Sequence, residues 1–248
     1  MSLSLNNDTI NAVNFNGAPI STVNFNGSTV WTETPIILRI GTKHANDSAG
    51  IILANPYGGA SSDALYTLTT NNPGISFSFC GFTVATDERS ADGTYNVLAC
   101  FDGLQEANNG YVENLPATAT ELNFYLTLPF KAQLKIVNAF QFFGGSDTLN
   151  ATLKHPTTFA VSTAGSASAT SYSSAGSAVS FSSGFASVTP SMNSSNIQKI
   201  KFKLTYPSTD KKRAFGEFRL RIDVKPSDYY AWKSNYSSAI GSNINNIP

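Results

Sequence analysis

The chain has few residues of the types on which most enzyme chemistry depends. Only 13% of its 248 residues are Asp, Glu, Lys or Arg, about half the usual share. The two histidines, His44 and His155, have no Cys, His or carboxylate at metal-ligand spacing. Cys80 and Cys100 are too few for a disulfide framework. Because each cysteine lies in an apolar run, we expect two buried thiols, with a disulfide between neighbouring strands as the alternative.

Sequence motifs for catalysis are absent too. The chain has no Gly-x-Ser-x-Gly elbow, no phosphate-binding Gly-x-x-x-x-Gly-Lys-Ser/Thr loop and no dinucleotide fingerprint. Asp87, Glu88 and Asp92 are close enough for a glycosidase pair or a calcium site, but they lack the spaced Asp/Asn ladder of a calcium loop. We expect a solvated loop there. The chain is therefore expected to be non-enzymatic, with no catalytic residue, no cofactor and no metal.

Long apolar runs are missing as well. The N-terminal residues 1–7 have neither a basic region nor a hydrophobic stretch, so we expect no signal peptide. No segment is long and apolar enough to predict a transmembrane helix or membrane insertion. The chain is nevertheless 41% hydrophobic and 12% aromatic, which is typical of a globular protein with a real core.

What the chain has instead is a series of short alternating runs. Runs typical of strands lie at residues 36–40, 65–69, 75–84, 95–101, 122–128 and 134–143. Residues 75–79 and 122–126 alternate apolar and polar positions, which predicts strands with one buried face. Turn residues separate such runs, as in Asp92-Gly93 and Asn109-Gly110. Many short strands with turns between them predict a mainly β fold over residues 34–248, an antiparallel β-sandwich of jelly-roll or immunoglobulin-like character.

One short helix is predicted at the C-terminal end. Ser227 or Asp228 is a candidate cap, and Gly241 a candidate end. One face of this helix carries Tyr229, Trp232, Tyr236 and Ile240. We expect that face to pack on the sandwich. The alternative is an exposed platform on which Tyr229, Tyr230, Trp232 and Tyr236 stack against sugars.

A segment almost free of charge occupies residues 154–198. From residue 155 on it contains no Asp, Glu, Lys or Arg, and residues 162–187 are mostly Ser, Ala, Gly and Thr. Such a composition is typical of a flexible linker. We favour an interface segment, covered by another chain or strand, over a linker.

The last part of the chain is basic. Residues 1–190 hold 6 Lys/Arg against 12 Asp/Glu, and residues 191–248 hold 10 against 4. Two alternating runs within residues 197–225 predict a hairpin with one apolar and one basic face. We expect the lysines either to protect an edge strand or to dock an acidic neighbour. Nucleic acid is not expected, because the aromatics alternate inward. The predicted docking face consists of Lys199, Lys201, Lys203, Lys211, Lys212, Arg213, Arg219 and Arg221.

A tandem repeat marks the N-terminal end. Val13-Asn14-Phe15-Asn16-Gly17 recurs as Val23-Asn24-Phe25-Asn26-Gly27, and the second copy continues to Val30-Trp31. Alternation predicts strands and Asn-Gly predicts two-residue turns, so residues 1–33 are expected to form a small β-meander. So few strands cannot bury an apolar face alone, which predicts an assembly interface of Val13, Phe15, Val23, Phe25, Val30 and Trp31. The alternative is an ordinary N-terminal part of the main fold.

This repeat resembles short modules on structural proteins of bacteriophage particles, most often tail and tail-appendage proteins. The resemblance covers residues 10–32. It implies a virion component, made in the host cytoplasm, that binds other copies of itself and other virion proteins through strand and sandwich interfaces. A tail or fibre-associated position is preferred to a head decoration or head fibre. The alternative function is a carbohydrate-binding module for receptor recognition, with a host-surface glycan as its partner.

Overall fold

The structure is a computed structural model that describes residues 4–5, 8–9, 13–15, 18–20, 22–25, 28–32, 34–41, 49–51, 67–70, 75–87, 97–101, 103, 110–113, 116–142, 152–190 and 196–236. Strands dominate this part of the chain, in agreement with the predicted fold class. The strands before residue 33 are β1 (Ser4–Leu5), β2 (Asp8–Thr9), β3 (Val13–Phe15), β4 (Ala18–Ile20), β5 (Thr22–Phe25) and β6 (Ser28–Thr32).

The described residues after β6 supply fifteen strands and two short helical elements. Up to residue 140 they are β7 (Ile36–Ile40), β8 (Ala49–Ile51), β9 (Thr67–Thr70), β10 (Ile75–Phe79), β11 (Phe82–Thr86), a 3-10 helix (Val97–Phe101), β12 (Tyr111–Val112) and β13 (Glu121–Phe140). After it they are β14 (Leu153–Lys154), β15 (Thr158–Ala164), β16 (Ser173–Ser174), β17 (Val179–Ser180), β18 (Phe185–Val188), β19 (Ile197–Thr205), β20 (Lys212–Phe215), β21 (Glu217–Val224) and α1 (Pro226–Asn235).

The long strand β13 belongs to both layers of the sandwich. Its first half pairs with β19 and β11, and its second half pairs with β21 and β18. The register with β19 shifts between Thr127 and Ala132, around Pro129, which has no amide hydrogen for the ladder and is typical of such irregular points. The first layer therefore runs β15-β19-β13-β11-β10-β9, and the second runs β18-β13-β21-β7-β8.

Phenylalanine rings fill the space between the two layers. Phe218 of β21 stacks on Phe202 of β19, with ring centroids 4.4 Å apart, and also contacts Phe124 of β13 at 5.4 Å. Phe101, on the 3-10 helix, packs against both Phe202 and Phe218. All of these side chains are fully buried. The predicted antiparallel β-sandwich is confirmed, although β7 with β8 and β14 with β20 pair in parallel.

The N-terminal strands form three two-stranded sheets and not the single meander that the repeat predicts. They pair as β1 with β2, β3 with β4, and β5 with β6. Only Ser21 separates β4 from β5, and one residue is too short for a hairpin connection between them. Val13 pairs with Ile20 and Val23 with Trp31. The division of the chain at residue 33 stays a prediction.

Residues 75–84 show why an alternating run can hide a turn. The sequence suggests one strand, but the structure has the hairpin β10–β11, with Cys80 and Gly81 both at positive φ. Two consecutive positive φ values define the turn type that fits the twist of a hairpin. Cys80 and Cys100 are both buried thiols, as predicted.

The C-terminal helix is confirmed, with different ends. It begins at Pro226 with Lys225 as its N-cap, and not at Ser227 or Asp228, because proline fits the first turn of a helix. Tyr229 and Trp232 are buried, and the Trp232 indole donates a hydrogen bond to the Cys80 carbonyl oxygen at 2.7 Å. The predicted packing of this face on the sandwich is confirmed. Ile240 and Gly241 lie outside the described residues.

The basic hairpin predicted over residues 197–225 is wrong. β19 pairs with β13 and β15, while β21 pairs with β13 and β7, so the two strands lie in different layers. Both alternating runs pair with the long strand β13 and not with each other. Alternation within a run does not show which strand it pairs with.

Strands β15 to β18 and the start of β19 place much of the described part of the segment 154–198 in the main sheet. Phe159 and Val161 of β15 are fully buried, and β15 pairs with β19 over its whole length. This excludes a flexible linker for that part. An interface with another chain stays a prediction.

Candidate functional site

The candidate site lies on the outer face of the first layer. In β13, Phe124 and Leu126 are fully buried, so Tyr125 between them faces outward. Tyr125 pairs with Ala85 of β11 on one side and with Lys201 of β19 on the other. The cross-strand register thus places an aromatic ring between a small residue and a cation.

A second tyrosine comes from the segment between β15 and β16. The ring of Tyr172 lies 6.0 Å from the ring of Tyr125, centroid to centroid, at an interplanar angle of 41°. The Lys199 ammonium is 5.7 Å from the Tyr172 ring centroid and 6.0 Å from that of Tyr125, within the range of a cation–π contact. Lys199 also donates a hydrogen bond of 3.0 Å to the Ala169 carbonyl oxygen. Lys199 therefore holds the segment against the sheet.

These side chains border an open groove of about 360 Å³, which we call the tyrosine groove. Its volume is within the ~300–1,000 Å³ of typical small-ligand sites. It is lined by Thr83, Ala85, Tyr125, Thr127, Ala169, Thr170, Tyr172 and Lys199. A second open cavity, of about 470 Å³, shares Ala169 and Tyr172 with the first and is lined mainly by small and hydroxyl residues.

A carboxylate holds the hydroxyl group of Tyr125. Asp87 accepts a hydrogen bond of 2.7 Å from the Asn123 amide and one of 3.3 Å from the Tyr125 hydroxyl. Burial raises the pKa of Tyr125 above its ordinary value, and the negative charge of Asp87 raises this pKa further. Tyr125 therefore stays a neutral hydrogen-bond donor near neutral pH, with its ring held in one orientation. Asp87 is thus part of a side-chain network, whereas Glu88 and Asp92 lie outside the described residues.

The side chains of the groove can bind a ligand. Among the described residues, no group of three His, Cys, Asp or Glu side chains could hold a metal ion. The groove offers two ring faces, an ammonium group and several hydroxyl groups, which together bind polar ligands that have an apolar face. No helix in the described part of the chain is both long and apolar enough to cross a membrane.

The predicted docking cations do not form one face. Lys199, Lys201 and Lys203 lie together on the outer side of β19. Arg219 binds Glu217 at 2.7 Å, and Arg221 lies 3.4 Å from Asp223, both on β21 in the other layer. Lys212 is the first residue of β20, in a separate three-stranded sheet of order β12-β20-β14. Lys211 precedes it and forms an isolated β-bridge with Ala117.

Arg213 is the clearest correction to this predicted face. It is 1% exposed and forms a bidentate ion pair with Glu113, which is 5% exposed, at 2.5 and 2.8 Å. A third bond runs from Arg213 to the Glu121 carbonyl oxygen. A side chain this deeply buried cannot dock a partner. Alternation within the run 211–213 gave no sign that β20 would be covered on both sides.

The expectation against nucleic acid assumed that inward-facing aromatics leave no stacking ring beside the lysines, and this assumption is wrong. The aromatics of β19 do point inward, since Phe202 is fully buried. However, Tyr125 of the neighbouring strand and Tyr172 lie beside the lysines of β19. The sequence could not show this, because the pairing of Tyr125 with Lys201 joins residues far apart in the chain.

The predicted assembly residues lie on the N-terminal strands. Val13 and Phe15 are in β3, Val23 and Phe25 in β5, and both Val30 and Trp31 in β6. The register of β5 with β6 shifts after Val23, so that Asn24 pairs with Thr29. The assembly role of these residues stays a prediction.

Comparison with known proteins finds similarity in structure only. A scan against protein-family models found no match, and a search of curated proteins found none either. Among solved structures, an F5/8 type C domain from Bacteroides fragilis superposes with a TM-score of 0.41 at 12% identity, over 66% of this chain and 99% of that domain.

Two further solved structures are similar to the same degree. A chitosan-binding module from a Paenibacillus chitosanase/glucanase has a TM-score of 0.43 at 11% identity, over 56% of this chain and 94% of the module. A CBM32 module of a family 31 glycoside hydrolase from Clostridium perfringens has a TM-score of 0.40 at 15% identity, over 55% of this chain and 86% of the module. At these values the similarity concerns the arrangement of strands and not a ligand.

Proposed function

We propose that this chain is a non-enzymatic carbohydrate-binding module and that the tyrosine groove is its binding surface. The observation that carries the proposal is the pair of tyrosine rings, 6.0 Å apart, at an open groove on the sheet face. Sugar rings have apolar C–H faces, which pack on aromatic rings, and hydroxyl edges, which need hydrogen-bond partners.

The polar groups around the rings match such a ligand. Thr83, Thr127 and Thr170 supply hydroxyl groups at the rim, and Lys199 supplies a cation between the rings. A hydroxyl group both donates and accepts hydrogen bonds, so it suits the hydroxyl groups of a sugar. The groove therefore presents flat apolar surface and hydrogen-bonding groups together.

The groove is also organised before any ligand binds. Asp87, which also accepts a hydrogen bond from the Asn123 amide, accepts one from the Tyr125 hydroxyl, and Lys199 holds the backbone of the segment that carries Tyr172. Ordering these groups in advance lowers the entropic cost of binding. An affinity in the millimolar-to-micromolar range is expected, since the contact area is small.

Replacing Tyr172 by alanine is expected to weaken oligosaccharide binding by at least about tenfold, or ~1.4 kcal/mol. The substitution removes one of the two ring faces of the groove and leaves the buried sheet unchanged. The measurement is isothermal titration calorimetry with a panel of neutral and acidic oligosaccharides, on the full chain.

Tyr230→Ala is the matched control, because Tyr230 is 52% exposed on α1, away from the groove. It should bind as the unchanged protein does. The proposal fails if no oligosaccharide binds, or if Tyr172→Ala and Tyr230→Ala bind equally well.

We propose as a second candidate that the chain is a structural component of a phage particle, in a tail or fibre. The observation that favours it is that both copies of the repeat pair as separate hairpins, β3–β4 and β5–β6. Two-stranded sheets are marginally stable alone in water. The apolar face predicted for these hairpins is therefore proposed to pack against another copy of the chain or another virion protein. A module that binds a host glycan at the tip of such an appendage combines both functions.

Native mass spectrometry tests this second candidate. We expect the full chain to be a defined multimer and a chain beginning at Pro35 to be a folded monomer, because residues 1–33 would carry the subunit contacts. If both chains are monomers of equal thermal stability, self-assembly through the repeat is excluded.

A further inference from the structure

The charged side chains around the tyrosine groove differ in whether they already have a partner. On the outer side of the first layer lie the cations Lys199, Lys201 and Lys203 and the carboxylates Asp87 and Glu121. Lys203 forms an ion pair of 3.0 Å with Glu121, which neutralises both charges locally. Asp87 accepts two hydrogen bonds from the protein. With the Lys203–Glu121 pair neutral, Lys199, Lys201 and Asp87 leave one more positive than negative charge here, and Asp87 is already bonded to two neutral donors.

The remaining charge is positive and sits at the rings. Lys199 donates one hydrogen bond to the Ala169 carbonyl oxygen and forms no ion pair with any of the described residues. Lys201 lies 5.9 Å from the Tyr125 ring centroid, and within the described part of the chain it makes no hydrogen bond or ion pair. Two ammonium groups thus border the Tyr125 ring, and neither forms an ion pair with a carboxylate among the described residues.

Resting on the carbohydrate-binding function proposed above, we infer that the tyrosine groove selects acidic oligosaccharides, whose carboxylate or sulfate binds the Lys201 ammonium while the sugar ring packs on Tyr125. Cross-strand pairing fixes this geometry, because Lys201 and Tyr125 are directly opposite each other in the β19–β13 ladder. An ammonium–carboxylate hydrogen bond is about twice as strong as one between neutral groups. A neutral sugar would leave Lys201 without such a partner.

An acidic sugar fits these charges better than a nucleic acid does. Nucleic-acid binding neutralises a series of phosphates with a track of Lys and Arg. Here the third lysine of β19, Lys203, is paired with Glu121, and the Asp87 carboxylate is bonded to the hydroxyl group of Tyr125. One anionic group beside one sugar ring is what the site can accommodate.

The test compares an oligogalacturonate of three sugars with the same oligosaccharide after methyl esterification, which removes its charge and keeps its size. We expect the acidic form to bind at least about tenfold more tightly at low salt, and the difference to shrink as salt rises. Lys201→Met should remove the preference for the acidic oligosaccharide. Lys201→Arg, which keeps the positive charge, should retain this preference. Lys233→Met, on α1, is the matched control and should behave as the unchanged protein.

Each other outcome is decisive. If the acid and the ester bind equally and Tyr172→Ala weakens both, the inference about charge is wrong while the carbohydrate-binding function stands. If neither form binds, and no member of the neutral panel binds, the function itself is wrong. If an oligothymidylate binds more tightly than the acidic sugar, through Tyr172 and Lys201, the groove is a nucleic-acid site and the inference is overturned.

Discussion

Replacing Arg213 by methionine is expected to lower the free energy of unfolding by about 3–5 kcal/mol, the cost of breaking a buried ion pair. Without the guanidinium, the Glu113 carboxylate is left buried without its two hydrogen bonds from Arg213. Lys154 is close by, but its ammonium already donates to the carbonyl oxygens of Ala117 and Thr209. Urea denaturation followed by tyrosine and tryptophan fluorescence measures the change.

Lys211, two residues before Arg213, provides a control for the loss of a positive charge. Lys211→Met removes an exposed cation at the edge of β20, and we expect it to change stability by about 0.5 kcal/mol or less. The double change Arg213→Met with Glu113→Leu should recover most of the loss, because an apolar pair of similar size replaces both charges. Equal stabilities of Arg213→Met and Lys211→Met would show that the buried pair contributes nothing.

Phe218→Ala is expected to destabilise the fold by a similar amount, about 3–5 kcal/mol. The Phe218 ring contacts five other rings, at centroid distances of 4.2–5.8 Å: Phe101, Phe124, Phe159, Phe202 and Phe215. Alanine would leave a cavity between the two layers that rigid sheets cannot close. The same denaturation experiment, with thermal unfolding beside it, measures this loss.

Phe185→Ala is the matched control for ring removal. Phe185 of β18 is 40% exposed and contacts one ring in the described part of the chain, that of Phe140, at 5.1 Å. Its loss should cost about 1 kcal/mol, since less apolar surface leaves water on folding there. If Phe218→Ala were as stable as Phe185→Ala, the two layers would not depend on this ring cluster.

The sequence predicted those features that local alternation controls. β7 has the predicted bounds, Ile36–Ile40, and the apolar positions of residues 122–128 are buried as their period indicates. The C-terminal helix and its buried face, with Tyr229 and Trp232, follow from helical spacing in the same way. In each case the signal lies within a few neighbouring residues, because side-chain direction repeats every 2 or 3.6 residues.

Local patterns failed where one pattern fits two structures. The apolar run at residues 95–101 predicts a strand, yet Val97–Phe101 is a 3-10 helix that places Phe101 between the layers. A short apolar run fits a buried strand and a buried helical turn equally well. The runs 122–128 and 134–143 suggest two strands, but they belong to the continuous strand β13, which ends at Phe140.

Composition and period, which are local properties, were enough to predict the class of fold and the buried faces of the strands. Which strands pair, and where the site therefore lies, depends on the tertiary structure. Tyr125, Tyr172 and Lys201 meet because β13 and β19 share a ladder and the segment after β15 folds back over it. The same long-range pairing buried Arg213 against Glu113, one hundred residues away in the chain. Register between distant strands depends on the free energy of the whole sheet and is not encoded in any short segment.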